Sequence, residues 1–305
     1  MEERHEDVIE DGPYKARIVL DSIGPNDVRL TTFEITYPRF VHAEFMTHRM
    51  FSRNSASSRA IPTNKLLEQI EHNPALPVWW GKNQSGMQAK EELDGLSQDV
   101  ARGLWFIAKR IATDLAKQLH AVGLHKQLAN RLIEPWMSIT VVWTATEHGN
   151  SKGLRVHPDA QPEIEKIMRM AYELHHEHAP MARRAGDWHL PYVTRYDEEM
   201  LILEGYREKL REISSGRCAA ISYLNQDKRD AVADIARAEK MLKSGHMSPF
   251  EHVAQAMSSE QWHDYGFDQA ERWVKERIPM GNLYGWKQFR KELADEHDFS
   301  KRSDA

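Results

Sequence analysis

The segment from Thr47 to Arg59 reads Thr-His-Arg-Met-Phe-Ser-Arg-Asn-Ser-Ala-Ser-Ser-Arg. Its thirteen residues hold three arginines, one histidine, one asparagine and five hydroxyl side chains, and no carboxylate. An apolar run from Pro38 to Met46 precedes it, and Ile61-Pro62 closes it. Phe40, Val41, Glu44, Phe45 and His48 fall at helical spacing, so a short helix is expected to deliver His48 and Arg49 into a polar loop. Proline at the head of that run suits a first helical turn, where its missing N–H costs nothing. Guanidinium forks with serine hydroxyls suit a phosphate. The plain rival is a solvated loop with incidental arginines.

Upstream, Tyr14–Leu20 and Val28–Tyr37 alternate apolar and polar residues, which predicts two strands joined by a turn at Gly24-Pro25-Asn26-Asp27. Residues 1–13 read as a frayed tail. Downstream, Leu66 to Met87 is broken by Pro74, Pro77, Gly81 and Gly86, with Trp79-Trp80 as a packing anchor. A long helix is predicted from Ser97 to Val122, with Leu104, Ile107, Ile111, Leu115 and Leu119 as its buried stripe and Gly123 as its stop. A short helix follows from His125 to Ile133, halted by Pro135. The β-branched run Ser138 to Thr146 reads as a buried strand. Pro162 to Arg184 reads as a helix, Gly186 to Tyr196 as a loop, and Met200 to Ile221 stays open. Asp227 is expected to cap a helix from Lys228 to Ser244, ended by Gly245, and Ser248-Pro249-Phe250-Glu251 has the form of a capping box. The class expected is α+β: a mixed or antiparallel sheet with packed helices, plus a helical subdomain from 96–133 and 162–184. One catalytic domain is expected over 14–290, with flexible tails at 1–13 and 291–305.

Composition narrows the function. The chain has 305 residues, 41% of them hydrophobic, enough for a sizeable core. Forty-one basic against 46 acidic residues give a net charge of −5, which argues against a nucleic-acid partner. Cys218 is the one cysteine, so no intrachain disulfide or multi-cysteine metal site is expected. It reads as a small buried residue, not a reactive thiol. The acidic N-terminal segment is unlike a signal or transit peptide, and no apolar run is long enough for a bilayer, so a cytoplasmic protein without membrane contact is expected. His175-His176-Glu177-His178 lacks the spacing of two histidines one turn apart around a glutamate, so it reads as a solvated helix end and no metal is assigned.

The order His48-Arg49, Ser52, Asn54, Ser57, Arg59 resembles the signature of the flavin-dependent thymidylate synthases, the ThyX family. Ala129-Asn-Arg131-Leu-Ile-Glu-Pro135 and Gly153-Leu-Arg155 through Ile164 are similar to that family's later half. Arg217 through Tyr223 and Gly245-His246-Met-Ser248-Pro-Phe-Glu251-His252 resemble its usual beginning. What usually comes first here comes last, so the resemblance implies a circularly permuted chain.

The resemblance implies that Ser57, Ser58, Arg59 and Arg131 grip the phosphate of a deoxypyrimidine nucleotide, with Glu44 and Ser55 also at the substrate. Arg155 matches the arginine on the pyrimidine edge, a fixed cation that stabilises a ring anion and activates C5; it is the catalytic candidate. Thr47, His48, Arg49, Asn54, Ser222, His246 and Ser248 match flavin contacts. FAD, NADPH and methylenetetrahydrofolate are the implied cofactors, and a homotetramer with shared sites is the implied assembly. Three departures stand at ligand positions: Thr47 for an arginine, Glu44 for a glutamine and Ser55 for a glutamate. Glu147-His-Gly-Asn150 also replaces an Asn-x-Arg flavin segment. The reading is therefore methylation of deoxyuridylate to thymidylate. A methylase or hydroxymethylase of deoxycytidylate, or a non-catalytic nucleotide-binding protein, are the alternatives.

Overall fold

The computed structural model of the chain describes residues 7–224, 230–266, 279–294 and 296. Its main sheet is built from β1 (Val8–Asp11), β2 (Tyr14–Ile23), β3 (Arg29–Pro38), β4 (Ser52–Ser55) and β5 (Ser138–Ala145), antiparallel in the order β1-β2-β3-β5-β4. The two upstream strands and the buried strand lie where the alternation and the β-branched run put them. Val8–Asp11, expected to fray, instead pairs with β2, and Asp11 is tied to Lys166 at 2.7 Å. A bulge between Ile18 and Leu20 reverses the alternation of β2. Ile18 and Asp21 thereby face the same side of the sheet, one at its centre and one at its end.

Between the strands lie α1 (His42–Met46), α2 (Thr63–His72), α3 (Gly95–Ala121) and α4 (Lys126–Ala129). After β5 come α5 (Gly149–Arg155) and α6 (Pro162–Glu177). Phe33, Ile35, Tyr37, Ile139, Val141 and Trp143 bury one sheet face against Ile164, Ile167, Met168 and Ala171 of α6. Each of the larger side chains withdrawn from water contributes about 1.5–3 kcal/mol. Arg29 donates from Nη2 to the carbonyls of His175 (2.7 Å) and His178 (3.0 Å), closing the end of α6. The helix thus ends at Glu177, short of the Arg184 expected. The histidine cluster is not a solvated end. His175 bonds Thr31 at 3.1 Å, and His178 bridges Asp21 and Asp7.

Helix α3 overturns one expectation. Leu104 is 61% and Ile111 54% exposed, with Ile107 and Leu115 exposed beside them. The helix packs through its opposite side instead, where Thr113 and Ala116 are buried and Trp105 meets Trp136. Small and aromatic side chains let the helix lie closer to the 3-10 turn Asn130–Trp136 than a leucine row allows. That turn contains Pro135, which was expected to stop the preceding helix.

The second half covers the other sheet face. It comprises β6 (Met181–Ala182), β7 (Trp188–His189), α7 (Arg195–Leu203), α8 (Leu210–Ala220), α9 (Ala231–Lys243), β8 (Ala254–Ala256), α10 (Ser259–Gly266) and β9 (Trp286–Gln288). β6 pairs parallel with β2, and β7-β8-β9 form a small antiparallel sheet. Asp230, not Asp227, caps α9, accepting from Val232 and Ala233; residues 225–229 lie outside the described residues. Ser248–Glu251 is a 3-10 turn without the side-chain cap expected of Ser248. Residues expected in the C-terminal tail are also held, since Glu296 is buried and binds Arg290 and Lys291 at 2.7 Å each.

The face between the halves is polar. A continuous run of hydrogen bonds joins Ser22, His189, Thr32, Thr144 and His252, with steps of 2.9, 2.8, 2.7 and 2.8 Å, and all five residues are fully buried. Beside it Tyr192 donates to Glu34 at 2.6 Å, and Thr36 bonds Thr140 at 2.9 Å.

Candidate active site

Phe45 and Phe51 anchor the signature segment. Phe51 stacks on Trp143 at 4.8 Å with 9° between the rings, and Phe45 packs on the same indole. Between these anchors the chain turns His48 inward, buried, and leaves Arg49 exposed. Arg155, at the end of α5, reaches across to this turn. Its Nε donates to His48 Nε2 at 3.1 Å, and its Nη2 to the Glu44 carbonyl (3.1 Å) and Thr47 Oγ1 (2.9 Å). The Thr47 hydroxyl donates in turn to the Glu44 carbonyl at 2.7 Å. A threonine at position 47 leaves room for Arg155 to close the end of α1, which a second guanidinium would oppose. Arg155 Nη1 makes no hydrogen bond to the described residues, so that end of the fork is open.

His48 is neutral at pH 7. Burial first, then the charges of Arg155 and Arg53, pull its pKa down to about 4, against a hydrogen bond with Asn150. Glu44 carries a buried carboxylate oxygen, Oε2, with no partner among the described residues. A buried acceptor left unpaired is costly, and its placement calls for a donor.

The phosphate candidates divide. Ser58 and Arg131 meet at Glu134, whose Oε1 accepts from Ser58 Oγ and from Arg131 Nη1, both at 2.8 Å, and pairs with Arg39 Nε at 3.0 Å. Arg39, Phe40, His42, Arg131, Glu134 and Pro135 line an open cleft of about 340 Å³. Asn130 fixes the loop behind it, donating to the carbonyls of Ser58 (2.6 Å) and Ile61 (3.2 Å). Arg59 is exposed at the tip of the same loop, and Ser55 is half-buried, paired in register with Val141.

The remaining candidates come from the second half. Ser57 N–H donates to the Ser222 carbonyl at 3.2 Å, Asn54 lies 3.5 Å from the Cys218 carbonyl, and the turn that begins at Ser248 packs beside β4. His246 is exposed, with Nδ1 2.8 Å from Ser244 Oγ. The structure therefore brings Arg155 to Glu44, Thr47 and His48, and Arg131 to Ser58. It places Asn54, Ser222 and Ser248 around β4, while Arg49, Arg59 and His246 point to solvent. Sequence reasoning missed Arg39, His42 and Glu134. Arg39 directly follows Pro38, and Glu134 stands three residues after Arg131, so the spacing held a signal.

Cys218 is fully buried, and burial drives its thiol far above the usual range, so it fills space as expected. Among the described residues no helix is long and apolar enough to cross a membrane.

The profile of the thymidylate synthase complementing protein family, Thy1, matches residues 27–181, just over half of the 305 residues. No curated protein matches the chain. Among solved structures it is similar to a UMP/dUMP methylase, PolB from Streptomyces cacaoi. The form bound with 5-Br dUMP shows 20% identity and a TM-score of 0.39, over 50% of this chain and 72% of that one. The form bound with 5-Br UMP shows 17% identity and a TM-score of 0.41, over 56% and 95%. On the profile match across the signature segment, β5, Arg155 and α6, the chain belongs to the thymidylate synthase complementing protein family.

Proposed function

We propose that this protein is a flavin-dependent methylase acting at C5 of a deoxypyrimidine monophosphate, most simply converting deoxyuridylate to thymidylate. The observation that carries the reading is Arg155, held through Nε and Nη2 with no hydrogen bond from Nη1 among the described residues. A guanidinium fixed in this way stabilises negative charge on a pyrimidine ring and so raises the nucleophilicity of C5. That route needs no thiolate on the ring, in keeping with the inert Cys218. Neutral His48 accepts from Arg155 and orients it without adding a competing charge. Arg131 and Ser58, with Arg39, supply the donors that suit a phosphate.

The residues fit a flavin by their chemistry: Arg49 offers an exposed cation, Ser222 and Ser248 stand beside β4, and the carboxylate of the same turn, Glu251, is taken up by Arg290. A bound flavin would supply the redox step, with reducing equivalents from NADPH and the carbon from methylenetetrahydrofolate. The contacts of Ser57 with Ser222 and of Thr144 with His252 support a permuted order, in which the chain's last part completes the site.

A second reading, deoxycytidylate as substrate, draws on Glu44. An unpaired carboxylate oxygen suits the amino group of cytosine better than a carbonyl oxygen. Self-association draws on α3. An antiparallel second copy centred near Ile107 would set Leu104 against Ile111, Val100 against Leu115, and Asp99 against Lys117. That pairing buries the exposed row and complements its charges.

The test is an absorbance spectrum of the purified protein, then titration with deoxyuridylate and deoxycytidylate. A bound flavin whose spectrum shifts with one nucleotide supports the reading and identifies the base. A protein that cannot be loaded with flavin, yet binds nucleotide, supports a non-catalytic binding protein instead.

A further inference from the structure

Glu134 is a carboxylate at the meeting point of the donors assigned to the phosphate. One of its oxygens, Oε1, takes Ser58 Oγ, Arg131 Nη1 and Arg39 Nε at 2.8, 2.8 and 3.0 Å. Two guanidinium groups and a hydroxyl around one oxygen make the coordination expected of a phosphate oxygen. The donors are pre-set. Asn130 holds the Ser58 carbonyl, and Lys126 Nζ holds the Ala60 carbonyl at 2.6 Å, so the loop stands in place whichever anion it binds. The cleft of about 340 Å³ opens beside the carboxylate. The Glu134 side chain is 23% exposed, so it has a route outward into water.

We propose that Glu134 is an internal anion that closes the phosphate site, and that a nucleotide phosphate binds by displacing its carboxylate from Arg39, Arg131 and Ser58. The inference rests on the reading that the substrate is a nucleotide monophosphate. A phosphate oxygen and Oε1 cannot share one point, and two anions side by side repel. Displacement leaves both guanidinium groups to the phosphate. The carboxylate lowers the charge of the empty site from two cations to a net one, which weakens its hold on any free phosphate. The carboxylate imposes this cost on every phosphate ligand alike; a nucleotide offsets it with contacts through its sugar and base, and a bare anion does not.

The experiment is calorimetric titration of wild type and Glu134→Gln with inorganic phosphate, deoxyuridylate and deoxyuridine. Inorganic phosphate and deoxyuridylate are expected to bind the variant about tenfold more tightly or better, a modest electrostatic gain, with deoxyuridine unchanged. Glu134→Asp, which withdraws the carboxylate by one methylene, gives a smaller gain in the same direction and replaces the first variant if that one unfolds. Equal or weaker phosphate binding by both variants overturns the inference and makes Glu134 a positioning residue for the arginines. The two readings fail separately. If the variant gains for inorganic phosphate while neither protein binds deoxyuridylate, Glu134 keeps its role and the pyrimidine-nucleotide reading falls. If deoxyuridylate binds both proteins equally, the nucleotide reading stands and the role of Glu134 falls.

Discussion

Arg155 shows how three hydrogen bonds turn a flexible side chain into a fixed charge. The expected outcome of Arg155→Ala is a loss of turnover by about 10²–10³, the scale for removing one electrostatic donor to a developing charge. Thermal stability should hold within about 1 kcal/mol, because the guanidinium is half-buried and Glu44 keeps its bond from Thr47. Parallel turnover and melting curves check this; equal losses in both would make Arg155 a structural brace. At this scale the sequence was informative about kind and less so about partners. The family resemblance named Arg155, Arg131 and Ser58, but Ser58 and Arg39 meet at Glu134 only through contacts between residues far apart in the chain. Helical spacing placed His48 at the end of a helix. It could not show that Phe45 and Phe51 turn that histidine inward while Arg49 is left outside.

Among the elements, the pairing of α8 with α9 rests on Gly216. A Cβ at that position would stand 2.1 Å from the Asp234 carbonyl oxygen, so the helices touch backbone to backbone. The same contact carries Arg217, buried, whose Nε donates to Asp234 at 3.0 Å and whose Nη1 donates to the Tyr192 carbonyl at 2.8 Å. Gly216→Ala must push the helices apart and is expected to cost about 1–3 kcal/mol; urea unfolding measures it, and no loss would mean the helices slide freely. The sequence announced α9 through its stop at Gly245, but left Met200 to Ile221 open. The reason is physical: α8 is buried nearly all round, and small residues meet a neighbouring backbone, so no amphipathic period appears. Helix α3 failed in the other sense. Its period was correct and its direction was not, because apolar residues occur on both sides and packing chose the small one.

Over the whole molecule, burial sets a dependence on pH. It pulls His148 down to about 4, and His175, His189 and His252 down to about 3. Unfolded histidines titrate near about 6.5, so below that pH the unfolded chain takes up protons that the folded chain refuses. Stability is therefore complete above about 6.5 and falls as pH drops toward the folded values. Each histidine adds a slope of about 1.4 kcal/mol per pH unit where only the unfolded state is protonated. A melting temperature that stays flat from about pH 7 to about pH 5 would contradict the buried neutral histidines. The exposed row on α3 gives a second test at this scale. Leu104→Glu with Ile111→Glu should halve the mass measured by light scattering, the loss of one two-fold interface, with the helical signal intact. An unchanged mass would remove α3 from the assembly.

The hydroxyl-lined face of the main sheet has a consequence for how the protein is made. A ribosome completes β1 to β5 by residue 145, before His189, Tyr192 and His252 exist. Until then Thr32, Thr36, Thr140 and Thr144 can be wetted, so one face of the unfinished sheet remains compatible with water while α6 closes the oily one. When the second half arrives, His189 takes up Thr32, His252 takes up Thr144 and Tyr192 takes up Glu34, and the face that water could cover becomes the seam that joins the halves.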